Sequence, residues 1–356
     1  MEYVLNFEDV DKNSLSQVGG KNSSLGEMIK AGIRVPPGFA VTTDSYLSFI
    51  IETKIKDKIY NILSDLNPDN VEALNDAGAE VQRMINDASM SDEVRIAIEN
   101  GYSDLCKICD SETVPVAVRS SATAEDLPTA SFAGQQDTYL WVENVEDLLQ
   151  KVRKCWASLF TPRAISYRIK NDFPHEKVLI SVGVQKMVNS KAAGVMFTLN
   201  PTNGDPSKVV IEGSWGLGET VVSGAVNPDK FVIDKVVMEI NERKISNKHI
   251  ECFYDPLKEE VVHADVELDR QSNCCLEDRE IMKLVDVARV IESHYGDPMD
   301  IEWAIDKDLS FPENIFIVQA RPETVWSQRK KEPVIGRKSG YELLMEKALS
   351  TIKVKQ

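Results

Sequence analysis

The sequence predicts an α+β fold with two lobes. Helical periodicity dominates residues 44–110, whereas alternating strand patterns dominate from residue 177 onward. A length of 356 residues is also enough to bury two hydrophobic cores. We therefore expect one lobe over residues 1–183, a second over 184–326, and a linker with a C-terminal tail over 327–356.

The elements of the first half follow from local signals. Residues 10–33 predict a loop followed by a helix, with Ser24 and Glu27 at the spacing of a capping box. Two prolines then end the helix, and residues 39–42 predict a strand. Strands are predicted again within residues 114–142.

The second half begins after one more helical region. Residues 146–170 predict a helix that Pro162 interrupts. After the strand-rich middle, Glu277–Tyr295 has the apolar spacing of one amphipathic helix. The last predicted strands are Ile301–Ile305 and Ile315–Ala320.

Charge limits the function classes. The formal charge is −16, and a surface of that sign repels nucleic-acid phosphates and anionic membrane surfaces. No apolar run has the length of a membrane span, and the first residues lack the pattern of a signal peptide. We therefore predict a cytoplasmic protein without nucleic-acid or membrane partners, in which an anion site needs locally concentrated cations.

The six cysteines do not predict a metal site. Cys106 and Cys109 have the spacing of a zinc or redox pair, but no second cysteine or histidine pair completes a ligand set. Their neighbours predict a helix, on which positions i and i+3 share a face. We predict reduced, structural thiols for this pair.

The first candidate site is the stretch from Val116 to Thr138. It opens as a β-branched strand and brings Arg119 to a run of small, hydroxylated residues, followed by a loop that contains Gly134. An arginine facing a loop with accessible backbone N–H groups suits a polyphosphate. A polar turn between two strands is the alternative interpretation.

The second candidate is Lys21, which follows Gly19 and Gly20 near a predicted helix start. A cation at a helix N-terminus opposes the helix dipole, whereas a bound phosphate would be favoured by the dipole and by the lysine. The alternative is a solvated lysine on a loop.

The third candidate lies on the last two strands. Alternation places Glu302 on one face of its strand, and Gln319 with Arg321 on one face of the next. Antiparallel pairing across the intervening loop brings these three side chains together. Oxygen ligands from Glu302 and Gln319 suit Mg²⁺, and Arg321 would neutralise developing charge. The alternative is a structural salt bridge between Glu302 and Arg321.

Five stretches together resemble one family. They are Gly19–Glu27, Val35–Phe39, Val116–Thr138, Gly183–Val188, and Asp300–Trp303 with Gln319–Thr324. In this order they resemble the nucleotide-binding part of phosphoenolpyruvate synthase and pyruvate phosphate dikinase, which has the ATP-grasp architecture. The resemblance implies a two-lobed ATP-grasp fold with the nucleotide cleft between the lobes, and ATP and Mg²⁺ as ligands.

The resemblance also implies roles for individual residues. Lys21 and Arg119 would hold the ATP phosphates, and with Arg321 they would be the catalytic cations. The segment from Gly134 through Gln135 to Thr138 would form a glycine loop over the phosphates.

The remaining roles concern the base and the metal. Gln185, Met187 and Val188 would line the adenine, with backbone groups at its edge and apolar side chains over the ring. Glu302 and Gln319 would hold Mg²⁺. The glycine-rich stretch 213–224 resembles a family loop, and we expect it to pack near the site.

The family enzymes continue into a swivelling phosphohistidine domain and an acceptor domain. The four histidines of this chain lie outside the family's histidine motifs, so none is assigned a catalytic role. We therefore expect the ATP-binding subunit of a split dikinase, whose partner subunit carries the phosphohistidine domain and the acceptor site. The resemblance to the ATP-binding subunit of phenylphosphate synthase makes phenol the expected acceptor.

Two alternatives remain open. One is the nucleotide-binding part of a phosphoenolpyruvate synthase that acts on pyruvate. The other is a self-contained kinase for a small molecule. In the dikinase reaction a histidine attacks the β-phosphoryl group of Mg-ATP, so AMP and phosphate are the products, whereas a self-contained kinase would form ADP.

Overall fold

The computed structural model describes residues 2–123, 126–127, 130–131 and 137–326. These residues form helices and antiparallel sheets, as the predicted α+β class requires. Residues Met1–Pro322 form one compact unit. In the four described residues after it, the Glu323 carboxylate accepts hydrogen bonds from the N–H groups of Val325 and Trp326.

The bounds of the described elements are as follows. The helices are α1 (Leu15–Lys30), α2 (Thr43–Glu52), α3 (Lys56–Leu63), α4 (Val71–Asp87), α5 (Asp92–Ile108), α6 (Val145–Ser158), α7 (Pro162–Lys170), α8 (Glu219–Val222) and α9 (Asp278–Tyr295). The strands are β1 (Val4–Asn6), β2 (Gly38–Val41), β3 (Val116–Ala122), β4 (Asp126–Leu127), β5 (Ala130–Ser131), β6 (Thr138–Val142), β7 (Ile180–Lys186), β8 (Ser190–Phe197), β9 (Lys208–Trp215), β10 (Asp229–Asp234), β11 (Glu239–Lys244), β12 (Ile250–Asp255), β13 (Glu260–Asp265), β14 (Met299–Asp306) and β15 (Ile315–Pro322).

The first sheet has the strand order β1-β2-β7-β3-β6, and every neighbouring pair is antiparallel. Helices α2 to α7 bury their apolar residues in a core that includes the inward side chains of β3 and β7. Trp156 of α6 is fully buried there and lies against Phe49, with 4.8 Å between ring centroids. The helical first half predicted from periodicity is therefore the packing layer of this sheet.

The second sheet has the order β11-β10-β9-β8-β14-β15, again antiparallel throughout. Helix α9 covers it and buries Ile281, Leu284 and Ile291 against the strands. Strand β7 belongs to the first sheet and β8 to the second, so the chain passes between the sheets over residues 187–189. The division into lobes at 183/184 stays a prediction.

Helix α1 contacts both sheets and is bent at Gly19. Gly19 has φ of +70°, and a Cβ atom there would lie 2.3 Å from the backbone oxygen of Ser121 on β3. Both facts require glycine, because a side chain would be strained and would collide with the strand. The hydroxyl of Ser121 donates to the carbonyl of Val18, which fixes the bend against β3.

Two local predictions have different outcomes. Pro162 separates α6 from α7 and is the first residue of α7, as the predicted interruption requires. The capping box at Ser24 and Glu27 is wrong, because Ser24 lies inside α1 and its hydroxyl donates to the Ala320 carbonyl of β15. The predicted tail, 327–356, lies outside the described residues.

Candidate functional site

A cavity of about 720 Å³ lies between the two sheets. Strands β3, β6 and β7 line it from the first sheet, and β8, β14 and β15 line it from the second. A cavity of this volume is in the range of small-molecule sites. Lys151 and Lys186 join Arg119 in its wall, which gives an acidic chain the local cations that an anion site needs.

Arg119 connects the two sheets across this cavity. It lies on β3, opposite Gly183 on β7, and its guanidinium reaches the second sheet. Nη2 donates to Oε2 of Glu302 at 3.1 Å and to Oε1 of Gln319 at 2.6 Å. Both side chains of the ion pair are partly exposed, by 17 % for Arg119 and 22 % for Glu302.

A β-bulge shapes the acceptor side of this contact. Glu302 pairs with Gln319, but the next residue, Trp303, pairs with Ile317, so Val318 is the extra residue on β15. Nη1 of Arg119 donates to the Val318 carbonyl at 3.1 Å. Bulges occur often beside functional sites, where they redirect backbone and side-chain groups.

The two predicted metal ligands fit a cation. Glu302 and Gln319 are direct partners in the β14–β15 ladder, which confirms that part of the prediction. One carboxylate oxygen and one amide oxygen already share a positively charged nitrogen of Arg119. Such oxygens are the ligands that Mg²⁺ prefers, so the donor set is suited to that ion.

Arg321 lies one step farther along the same strand face. It pairs with Asp300 in the ladder, and its guanidinium contacts the Asp300 carboxylate at 3.0 Å. Its side chain is 44 % exposed, and it does not line the cavity. The alternative salt bridge between Glu302 and Arg321 is absent from the ion pairs of the described residues, because Glu302 pairs with Arg119.

Lys21 lies at a second, much smaller cavity of about 10 Å³. Arg119, Gln185 and Val318 line both cavities, so the two are adjacent. Nζ of Lys21 donates to the Ser120 carbonyl at 3.1 Å. Because the bend at Gly19 starts a new helical segment, Lys21 lies in the first turn of that segment, where helix geometry favours anions.

Gln185, Met187 and Val188 all line the main cavity. Gln185 is 3 % exposed, and none of the described residues accepts a hydrogen bond from its Nε2 atom. A buried amide without a partner is costly, so this donor is suited to a ligand. Met187 and Val188 are buried apolar side chains, and the Met187 N–H already donates to Pro115.

Thr138 begins β6 and is exposed at the cavity wall, opposite Arg119 in the β3–β6 ladder. Gly134 and Gln135 of the predicted glycine loop lie outside the described residues, as does most of that loop.

Sequence reasoning missed several residues in the cavity wall. Lys151 lies on α6, where no motif distinguished it from a surface lysine. Lys186 lies within the stretch Gly183–Val188, but no role was assigned to it. Residues 217–219 of the glycine-rich stretch line the cavity, so this stretch contributes side chains as well as backbone. His263 of β13, to which no role was assigned, also lines the cavity.

The β12–β13 ribbon that carries His263 contacts the first sheet. Tyr254 stacks on Trp141 of β6, with 4.6 Å between centroids and 13° between ring planes. Both rings donate to Glu143, from the Tyr254 hydroxyl at 2.8 Å and from the Trp141 indole at 3.2 Å. The hydrogen bond to this carboxylate raises the pKa of Tyr254 to about 12.

No helix in the described ranges is both long enough and apolar enough to cross a membrane.

Comparison with known proteins identifies the class of this domain. Residues 15–340 match the family model described as "Pyruvate phosphate dikinase, AMP/ATP-binding domain". The chain therefore contains an AMP/ATP-binding domain. The chain is a member of the pyruvate phosphate dikinase and phosphoenolpyruvate synthase family, as the sequence resemblance implied.

Three relatives are similar over nearly the whole chain. A probable phosphoenolpyruvate synthase of Staphylothermus marinus is 47 % identical over 95 % of this chain and 43 % of its own length. The phosphoenolpyruvate synthase of Aeropyrum pernix is 44 % identical over 92 % of this chain and 43 % of its own length. A probable phosphoenolpyruvate synthase of Methanocaldococcus jannaschii is 45 % identical over 93 % of this chain and 27 % of its own length. The chain thus spans less than half the length of these relatives.

Proposed function

We propose that this chain is the Mg-ATP-binding part of a dikinase of the phosphoenolpyruvate synthase type, with pyruvate as the final acceptor. The names of the similar proteins favour this alternative over the phenol acceptor expected from the sequence. In the proposed reaction, the bond between the α- and β-phosphoryl groups of ATP breaks as a histidine nitrogen attacks the β-phosphorus. AMP leaves, and the pyrophosphoryl group on histidine then loses phosphate to water.

One observation carries the proposal: a single guanidinium nitrogen of Arg119 joins Glu302 and Gln319 at the wall of the cavity. The three side chains come from two sheets, and the contact joins residues separated by 183 and 200 positions. Phosphoryl transfer depends mainly on positioning and on electrostatic stabilisation, which requires cations and metal-binding oxygens at one place. This cluster supplies both.

The remaining residues bind different parts of the nucleotide. Lys21 and Arg119 bind phosphate oxygens, and the first turn after Gly19 adds helix N–H groups. Gln185 bonds to the base with its Nε2 donor, and Met187 and Val188 cover the ring. Mg²⁺ bound by Glu302 and Gln319 would supply charge neutralisation at the transferring phosphoryl groups.

The cleft between the two lobes of an ATP-grasp domain is part of the same proposal. The cavity between the two sheets supports it, because residues of both sheets line the space. Thr138 lies at the exposed side, where the glycine loop through Gly134 and Gln135 would cover the phosphates. Arg321 would act on the transferring group from the edge of the site, after release from Asp300.

The histidine and the acceptor site are proposed to lie in another part of the enzyme. The family relatives are more than twice as long as the matched region of this chain, which leaves room in them for further domains. A subunit or domain with a swivelling phosphohistidine would enter the cavity from its open side.

The test is replacement of Glu302 by alanine. We expect AMP formation from Mg-ATP, measured with the histidine-bearing part of the enzyme present, to fall by about 10³-fold, because the metal loses a carboxylate ligand. Pyruvate and phenol are supplied in parallel reactions, and formation of phosphoenolpyruvate would identify the acceptor.

Glu212→Ala is the matched control. Glu212 lies on the same sheet as Glu302, because Val195 of β8 pairs with Glu302 on one side and with Glu212 on the other. Glu212 also has its own ion pair with Lys230. It does not line the cavity, so activity should be unchanged. Retained AMP formation in Glu302→Ala would refute the metal assignment, and ADP as the product would refute the dikinase reaction.

A further inference from the structure

A second cluster of metal-binding side chains lies at the edge of the cavity. Glu219, Cys252 and His263 each offer a ligand atom, and these atoms all lie within 4.8 Å of one another. Sγ of Cys252 lies 3.5 Å from Oε2 of Glu219, and Nε2 of His263 lies 3.9 Å from Oε1 of the same carboxylate. The cluster shares no residue with the Arg119 contact.

The backbone holds these residues in place. Cys252 and His263 are direct partners in the β12–β13 ladder, so their side chains lie on one face of the ribbon. Gly216 forms a bridge with Cys252, and the Leu217 N–H donates to the Cys252 carbonyl at 2.7 Å. The segment that leads to Glu219 is therefore fixed to the ribbon.

Gly216 permits this close contact. Its φ is +75°, and a Cβ atom would lie 2.2 Å from the Cys252 carbonyl oxygen. Only glycine is compatible with both the backbone conformation and the distance. The juxtaposition of Glu219 with Cys252 is thus built into the backbone.

The donor set and distances suit zinc. Thiolate, imidazole and carboxylate are the three ligand types of protein zinc sites. A tetrahedral ion with Zn–S of about 2.3 Å and Zn–O of about 2.0 Å places sulfur and oxygen about 3.5 Å apart. The observed distance from Sγ of Cys252 to Oε2 of Glu219, 3.5 Å, is close to this value. Nε2 of His263 lies 3.9 Å from the other carboxylate oxygen, Oε1, so the exposed histidine has to move to share an ion with them.

We propose that Glu219, Cys252 and His263 form a binding site for one Zn²⁺ ion at the edge of the cavity. Three protein ligands leave a fourth position for water. Coordination replaces the thiol proton of Cys252, which passes to solvent. Cys252 is fully buried, whereas the side chains of Glu219 and His263 are 46 % and 48 % exposed, so the ion enters from their side.

Zinc at this site would also affect the cavity. Glu219 and His263 both line it, whereas Cys252 does not. A bound ion would hold these two side chains and add charge at the wall. We therefore expect zinc to change the affinity of the cavity for a nucleoside, a consequence that rests on the proposed function, whereas zinc binding itself does not.

The direct test is titration of the metal-free chain with Zn²⁺ in competition with a chromophoric chelator. We expect one tightly bound ion per chain. Substitution by Co²⁺ should give the near-ultraviolet band of a thiolate ligand and the intense visible bands of tetrahedral geometry. His263→Ala changes an exposed side chain and should weaken binding by at least tenfold, and Cys252→Ser should also remove the thiolate band.

Two variants serve as matched controls. Cys274→Ser changes a half-buried free thiol, and His249→Ala changes an exposed histidine, both outside the cluster. Neither should change zinc affinity. The proposal fails if wild-type chain binds no zinc beyond the level of the His263→Ala variant, or if binding depends on the control residues.

The effect on the cavity needs a separate measurement. Adenosine is the probe, because it has no phosphates that chelate zinc. Its affinity should change when zinc is added to wild-type chain and should not change in Cys252→Ser. If zinc binds as expected but adenosine affinity does not respond to it, the zinc site stands and only its effect on the cavity is refuted. The proposed nucleotide function is tested separately, by Mg-ATP binding to the zinc-free chain.

Discussion

Two ion pairs of this molecule, Arg119–Glu302 and Lys248–Asp229, have similar distances and opposite surroundings. Lys248 contacts Asp229 at 2.6 Å, and both side chains are fully buried. Asp229 also accepts hydrogen bonds from the N–H groups of Ser246 and Cys275. Arg119 and Glu302 are 3.1 Å apart in the wall of a cavity and remain partly exposed.

The difference shows which pair stabilises the fold and which is available to a ligand. Asp229 has donors on both oxygens, and Lys248 also donates to the Ser246 carbonyl, so this cluster is satisfied by the chain itself. It ties the segment before β12 to β10. Arg119 instead joins groups on two sheets beside open space, so its contacts can be exchanged for phosphate or metal.

The largest expected effect is that of Lys248→Met. The substitution leaves the Asp229 charge buried without its cation, which costs about 3–5 kcal/mol in the free energy of unfolding. Denaturant unfolding measures this change. Mg-ATP affinity, measured by calorimetry while the variant is folded, should be unchanged because neither residue lines the cavity.

Lys107→Met provides the control for removing a charge. Lys107 pairs with Asp104 at 2.8 Å on an exposed helix surface, and such pairs contribute at most about 1 kcal/mol. Equal destabilisation by the two substitutions would contradict the assignment of a structural role to burial of the Lys248 pair.

The intermediate effect is that of Arg119→Met. In contrast to Lys248→Met, this substitution should change nucleotide affinity more than stability. We expect the Kd for Mg-ATP to rise by about 10–100-fold, which corresponds to about 1.4–2.7 kcal/mol, because a phosphate-binding cation is lost. Stability should change by only about 1 kcal/mol, because the pair is partly exposed. Calorimetric titration and denaturant unfolding of the same sample give both values.

Arg153→Met is the control that shows whether loss of any arginine side chain raises the Kd for Mg-ATP. Arg153 lies on α6 and donates to the carbonyls of Asn86 and Ala88, away from the cavity. Its replacement should lower stability without changing the Kd for Mg-ATP. If Arg119→Met lowers the free energy of unfolding by about 3–5 kcal/mol and leaves the Kd for Mg-ATP unchanged, the two ion pairs have the same structural role and the comparison fails.

The sequence predicted what depends on local periodicity. Alternation along β14 and β15 was enough to predict that Glu302 and Gln319 come together, and Pro162 was enough to predict the division of a helix. The contact of Arg119 with Glu302 was not predictable from spacing, because it depends on how two sheets approach each other. The bulge at Val318 and the pairing of Arg321 with Asp300 depend on ladder register, which alternation alone does not specify.

The capping box failed for a related physical reason. Ser24 and Glu27 have the required spacing, but tertiary contacts with β15 and His294 use their side chains instead. A local signal therefore predicted the helix itself but not its first residue. The cluster at Cys252 was not predicted either, because Glu219 lies 33 positions before Cys252 and the two meet only where the segment after β9 contacts the β12–β13 ribbon.

The smallest expected effect concerns Gln185, a buried amide whose donor is unsatisfied in the described part of the chain. Gln185→Met keeps the shape and removes the amide, whose Nε2 has no partner among the described residues. The free energy of unfolding should stay constant or rise by about 1 kcal/mol, because an uncompensated polar group is removed. Mg-ATP affinity should fall by about tenfold, because the ligand loses a donor.

Gln271→Met is the matched control, because the amide of Gln271 has a hydrogen-bond partner. Its Nε2 donates to the Val266 carbonyl at 2.9 Å and lies away from the cavity, so the substitution should lower stability by about 1 kcal/mol and leave affinity unchanged. A gain in stability with a loss of binding at Gln185 would show that the fold tolerates an unmade hydrogen bond where a ligand completes it. Loss of stability without loss of binding would make Gln185 a structural residue, and the cavity would then contact the base through its apolar wall alone.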